Sequence, residues 1–202
     1  MITKKIIQDA DVTWAQSQSS SKAWRALCVT STGRIIATTS NDYIYYSDDN
    51  GETWTQSQSL SKNWRALCVA PTGRAIVAAN NDYIYYSDDN GVTWTQSQSL
   101  NKSWYALCVT PTGRVIAAAS DDYIYYSDDN GETWTQSQSL SKDWRALCVT
   151  PTGRIIADAS GDYIYYSDSV IETKFPKYLD HEGAQKLVTQ FKAYVDSLVG
   201  SE

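Results

Sequence analysis

Hydrophobic and polar positions along this chain follow one cycle. In residues 64–98 an apolar run, Trp64-Arg-Ala-Leu-Cys-Val69, gives way to the polar turn Pro71-Thr-Gly73, and a second run, Arg74 to Ala79, stops at Asn80-Asn81-Asp82. A third run, Tyr83 to Ser87, stops at Asp88-Asp89-Asn90-Gly91, and a fourth, Thr93 to Gln98, completes the cycle. Short runs rich in β-branched and aromatic residues, bounded by Gly, Pro, Asn and Asp, predict strands. Connections this short predict an antiparallel meander. The first run is apolar at consecutive positions, as expected of a strand covered on both sides.

The cycle recurs. Trp14, Trp54, Trp94 and Trp134 stand forty residues apart, and nearly every residue between them repeats at the same interval. One unit cannot bury its apolar face alone, so neighbouring copies must cover it. Four-stranded meanders at this period predict a β-propeller, with a solenoid as the alternative stack. The phase of the repeat predicts how it ends. Val12 to Gln18 is an isolated fourth run, and the last copy stops after its third run, Tyr163 to Ser167. The spare N-terminal strand is expected to fill that vacancy and close a ring of four blades within one chain, removing two open edges. Exchange of the same strand between two chains would give eight blades.

From Lys174 the repeat is gone. Residues 180–200 place Ala184, Leu187, Val188, Phe191, Val195 and Leu198 on one stripe, with Asp180 as a cap and Gly200 as a stop, which predicts an amphipathic helix. The expected fold is therefore all-β over residues 1–173, with four four-stranded antiparallel blades, followed by one C-terminal α-helix in residues 174–202. That helix packs on its own domain or on its copy in another subunit.

Ser47-Asp48-Asp49-Asn50-Gly51-Glu52-Thr53-Trp54 resembles the Asp-box, or BNR repeat, of sialidase-like propellers. It recurs as Ser87, Asp89, Gly91 and Trp94, and as Ser127, Asp129, Gly131 and Trp134. The resemblance implies a structural hairpin between third and fourth strands. The residues agree: Asp49 can accept turn amides, Gly51 can take a positive φ, and Trp54 can fold back as an apolar plug. The segment Lys177–Asp180 through Tyr194–Ser197 resembles C-terminal tails of phage-tail and other virion-associated proteins, which implies assembly on a particle.

Charge and composition narrow the function. The chain of 202 residues is 42% hydrophobic with a net charge of -6, its Lys and Arg dispersed one or two per repeat. That gives no basic patch, so nucleic acid is not an expected partner. The N-terminus lacks a signal-peptide core and no stretch reaches membrane-spanning length, so cytoplasmic synthesis without membrane insertion is expected. Cys28, Cys68, Cys108 and Cys148 repeat in register inside apolar runs, as buried reduced thiols would. No metal or other cofactor is expected: Cys-x-x-Cys pairs are absent, and the Asp-rich turns lack the terminal Glu of a calcium loop. His181, the single histidine, reads as a solvated side chain.

In a meander the interblade loops and the loops between second and third strands share one face. That rim gathers Lys22, Trp24, Arg25 and Asp42; Lys62, Trp64, Arg65 and Asp82; Lys102, Trp104, Tyr105 and Asp122; and Lys142, Trp144, Arg145 and Asp162. An aromatic plane beside charged hydrogen-bonding groups suits a sugar ring, and repeated weak sites gain avidity on a polysaccharide or glycan-coated surface. The competing reading makes the tryptophans interblade plugs and pairs Lys62 with Asp82. The sialidase resemblance implies an arginine triad, which Arg25, Arg65 and Arg145 mimic in part. However, the Arg-Ile-Pro motif is absent, and near-equal copies do not readily supply two carboxylates in unlike environments. The expectation is a non-catalytic recognition module, most simply carbohydrate-binding. A purely structural or protein-interaction propeller is the alternative, and a glycoside hydrolase the remote one. Self-association through the C-terminal helix or a swapped N-terminal strand is compatible with the sequence.

Overall fold

Residues 14–167 are described by the structure, a computed structural model, and fall within a unit spanning Met1–Ser169. The first sheet holds β1 (Trp24–Val29), β2 (Ile35–Thr39), β3 (Tyr45–Ser47) and β4 (Thr55–Gln56), and the second holds β5 (Trp64–Val69), β6 (Ala75–Ala79), β7 (Ile84–Ser87) and β8 (Thr95–Gln96). The third contains β9 (Trp104–Val109), β10 (Val115–Ala119), β11 (Ile124–Ser127) and β12 (Thr135–Gln136). The fourth has β13 (Trp144–Val149), β14 (Ile155–Ala159) and β15 (Ile164–Tyr166). Each sheet is an antiparallel meander in chain order, as the punctuation of the repeat predicts.

The turns follow their residues. The second-to-third-strand turn needs a left-handed residue, and the copies supply Asn41 (φ 58), Asn81 (φ 55), Asp121 (φ 54) and Gly161 (φ 68), the residue types that tolerate it. The fourth strand is shorter than the Thr93 to Gln98 run predicts. Its ladder is continued by a side chain: Ser97 N donates to Ile84 O, but Ile84 N donates to Ser99 Oγ at 2.8 Å. A hydroxyl takes the place of a backbone carbonyl, so regular pairing ends after two residues.

The sheets stack in sequence, β1 on β5, β5 on β9 and β9 on β13. Alternate residues face opposite neighbours. The face of the first sheet carrying Cys28, Ile36, Ile44 and Tyr46 packs against Trp64, Leu67, Val77 and Tyr85 of the second. The same arrangement recurs from the second sheet to the third and from the third to the fourth.

The expected closure is corrected. Among the described residues no comparable contact joins β13 to β1, and the fourth sheet has three strands. Trp14 to Gln18 forms no strand against β15; instead Gln18 N donates to Glu52 O at 2.8 Å, in the Asp-box of the first blade. The physical reason is visible in the repeat. Gln58 N donates to Val92 O and Gln98 N to Glu132 O in the same way, so this segment is tied to the blade that follows it. Without the fourth blade meeting the first, that tie cannot also fill the vacant edge. Val12, Thr13, the C-terminal helix and the tail resembling phage proteins lie outside the described residues. No helix among the described residues is long and apolar enough to cross a membrane.

Candidate functional site

The Asp-box closes on its own atoms. Ser47 Oγ donates to Asp49 Oδ1 at 2.7 Å, and Thr53 donates its amide to Oδ1 at 2.9 Å and its hydroxyl to Oδ2 at 2.5 Å. Trp54 Nε1 donates back to Gly51 O at 3.1 Å. Hydrogen bonds from Thr53 and Ser47 hold the Asp49 carboxyl down to about 2. In Asp89 and Asp129 burial works the other way, yet the bonds from Thr93 and Thr133 win and both carboxyls stay below the usual range. Both oxygens of each carboxylate are committed inside the turn, which makes the box a staple.

The opposite rim shows where the repeated Lys, Trp and Asp residues go. Trp64 and Trp104 are 0% exposed and Trp144 is 2% exposed, each packed edge-on against Tyr85, Tyr125 or Tyr165 at ring distances of 5.2–5.3 Å. They are interblade plugs, with no face free for a sugar; Trp24, which has no preceding blade, is half-buried. Lys62 Nζ pairs with Asp82 Oδ2, and Tyr85 Oη donates to Asp82 Oδ1 at 3.2 Å. Burial disfavours both charges, but their hydrogen bond keeps Lys62 above and Asp82 below its ordinary value. The same pairing joins Lys22 to Asp42, Lys102 to Asp122 and Lys142 to Asp162. Three of the lysines also bond backward: Lys62 N donates to Asp42 O at 3.1 Å, Lys102 N to Asp82 O at 3.1 Å and Lys142 N to Asp122 O at 3.0 Å. The lysines and aspartates thus run as a girdle from blade to blade.

The remaining candidates come together at a feature the sequence does not announce. Each first strand carries a bulge between its Trp and Ala, and the extra residue is Arg25, Arg65, Tyr105 or Arg145. A bulge re-aims its side chain and leaves it off the ladder. Because β5, β9 and β13 pack side by side, Arg65, Tyr105 and Arg145 form a row. The Arg145 guanidinium lies 4.1 Å and that of Arg65 5.3 Å from the Tyr105 ring centroid, a cation–π arrangement. Arg145 also donates to Asp143 at 2.6 Å. Arg65 Nε is buried and has no hydrogen-bond partner among the described residues, an arrangement that costs about 1–3 kcal/mol unless something supplies an acceptor.

A polar cleft of about 350 Å³ lies on the Asp-box side, lined by Ser31, Thr72, Arg74, Asp88, Asn90 and Asn130. Sequence reasoning missed it because two turns and two boxes from successive blades must meet to form it. Its arginine is already held in a fork by Asp88, at 2.6 and 3.0 Å, over the Tyr86 ring. The thiols divide by position: Cys28 and Cys108 are pushed up to about 12 and Cys68 higher still by burial, whereas Cys148, expected to be buried, is exposed. Among the described residues no cluster of three or more His, Cys, Asp or Glu could hold a metal.

Comparison with known proteins agrees with this geometry. The BNR/Asp-box repeat matches residues 45–56, 85–96 and 125–136. No curated protein matches the chain in sequence. In structure it is similar to the computationally designed Ika4 protein (12% identity, TM-score 0.62, covering 75% of this chain and 94% of that one). It is also similar to a gluconolactonase from Xanthomonas campestris (14%, 0.58, 72% and 59%) and to the Cps50 (Swd1) β-propeller domain of Myceliophteria thermophila (14%, 0.57, 73% and 51%). The chain thus spans little more than half of those two natural proteins. Its described residues form an all-β arrangement of four stacked antiparallel sheets, propeller-like and with Asp-box repeats.

Proposed function

We propose that this chain is a non-catalytic recognition module that binds an acidic glycan through the row Arg65, Tyr105 and Arg145. The observation that carries the reading is the Tyr105 ring flanked by the guanidiniums of Arg65 and Arg145. A carboxylate or sulfate on a polysaccharide can pair with the part-exposed guanidinium of Arg145, and its hydroxyls suit the polar groups beside it. The repeated aspartates support a non-catalytic role. Asp82 and its equivalents are each bound by Lys and Tyr and held ionised, which is unsuited to a general acid. The likeness of residues 177–197 to phage-tail proteins would place such a module on a particle surface.

The test is a glycan array of acidic and neutral oligosaccharides, with Arg65→Gln and Arg145→Gln variants. Selective binding of acidic glycans that falls at least tenfold in both variants and weakens with salt is expected. Binding of neutral and acidic glycans alike, or binding that survives both substitutions, would sink the idea. Silence across the array would favour the protein-interaction alternative, for which the exposed Leu60, Leu100 and Leu140, one after each of the first three blades, are the supporting feature.

A further inference from the structure

The two ends of the stack are the two halves of an interface that the chain already forms three times. Among the described residues the outer faces of the first and fourth sheets are uncovered: the first presents Leu27 and Val29, 66% and 61% exposed, whereas Leu67 and Val69 at the same repeat positions are covered by the blade before them. The fourth sheet's uncovered face presents Cys148, Ile164 and Tyr166, of which Ile164 is 73% exposed. Its counterparts Cys68, Ile84 and Tyr86 are packed against the third blade. Apolar surface of this extent on a soluble stack calls for a partner.

The vacant edge makes the match more specific. In the internal blades the fourth strand pairs with the third, as Thr95 with Tyr86 and Gln96 with Tyr85. The serine after it receives Ile84 N, and Ser97 N donates to Ile84 O. Beside β15 no such strand stands among the described residues. Ala15-Gln16-Ser17-Gln18-Ser19 is the corresponding segment, attached to the opposite end of the stack through Gln18. Its serines are already set: Ser19 N donates to Ser17 Oγ at 3.2 Å, the same bond and length as Ser99 N to Ser97 Oγ.

We infer that a second copy of this chain covers both ends: the fourth blade of each copy packs on the first blade of the other, and residues 15–19 of each supply the missing outer strand of its partner. This takes up the strand exchange that the sequence permits and goes beyond the glycan reading, on which it does not rest. A head-to-tail interface closes into a ring or runs on as a filament. Two copies are the smallest assembly in which every such end is covered and the ring closes. The ring would bring both copies of the Arg/Tyr row around one axis.

The experiment is analytical ultracentrifugation of the full chain with thiol labelling and mass spectrometry. The wild type is expected at twice 22.6 kDa across micromolar concentrations, with Cys148 protected like the other three cysteines. Leu27→Lys on one face and Ile164→Lys on the other should each give a folded monomer in which Cys148 alone is labelled. Failure of one variant to fold leaves the other as the test. A wild-type monomer, whether Cys148 is open or covered, would overturn the proposal, as would open-ended assemblies larger than a dimer. None of these outcomes bears on glycan binding, which is read separately on the array.

Discussion

A Cβ placed on Gly91 would lie 2.7 Å from Ile36 Cδ1, so the Asp-box of the second blade is pressed against the second strand of the first. Gly91 also has φ +86, and the box therefore needs glycine for two separate reasons. Gly91→Ala should cost about 1–2 kcal/mol for the left-handed backbone and about 1–3 kcal/mol more for overpacking. Gly153→Ala, with φ +84 and nothing within 4 Å, should cost the backbone part alone. Urea unfolding of the two variants measures the difference; equal losses would mean that the interblade contact yields freely.

The girdle predicts that Asp82 stabilises more than one strand. Its carboxylate receives Lys62, Tyr83 N and Tyr85 Oη, while its backbone bonds Lys102. With side chains 17% and 21% exposed, Lys62 and Asp82 are sheltered from solvent screening. Asp82→Ala should lower stability by about 2–3 kcal/mol, since it strands a sheltered ammonium and a tyrosine hydroxyl. A loss below about 0.5 kcal/mol in chemical denaturation would show that the girdle contributes little.

The serine that completes the outer ladder offers a third test. Ser99 is buried and its hydroxyl is the acceptor for Ile84 N. Ser99→Ala leaves that amide unpaired and should cost about 1–3 kcal/mol. Hydrogen exchange should show the Ile84 amide losing protection while the amides of β5 keep theirs.

Stability should fall in acid over a defined window. Asp49 titrates near 2 in the fold, and Asp82, Asp89, Asp122 and Asp129 are all held below their ordinary value. A depressed folded-state pKa contributes stability that is present above the unfolded value, near 4, and is lost as pH falls toward the folded one. Melting temperature should therefore be nearly flat from pH 7 to 5 and drop between about 4 and 2. Asp49→Asn should soften that drop; an unchanged profile would mean that the boxes do not control acid unfolding.

Much of this protein was legible in its residues. Trp64 to Val69 is the observed strand at both ends, and the Asp-box turns stand where their composition puts them, because each is decided by neighbours a few positions away. The candidate site was less legible. Trp64 looks the same in sequence whether it stacks on a sugar or plugs the next blade, and only the covering sheet decides. The bulge that gathers Arg65, Tyr105 and Arg145 leaves no composition signal, since it is a register shift between β5 and β6 or their counterparts.

What the sequence determined by itself is the repeat, its strands and its turn chemistry, for these follow from local patterning and from φ values that only Gly, Asn or Asp readily adopt. What the tertiary structure alone decided is how far four blades turn about their axis, and hence that Leu27 and Ile164 face outward instead of each other. That angle is the sum of many interblade packings, none of which is encoded within a single copy.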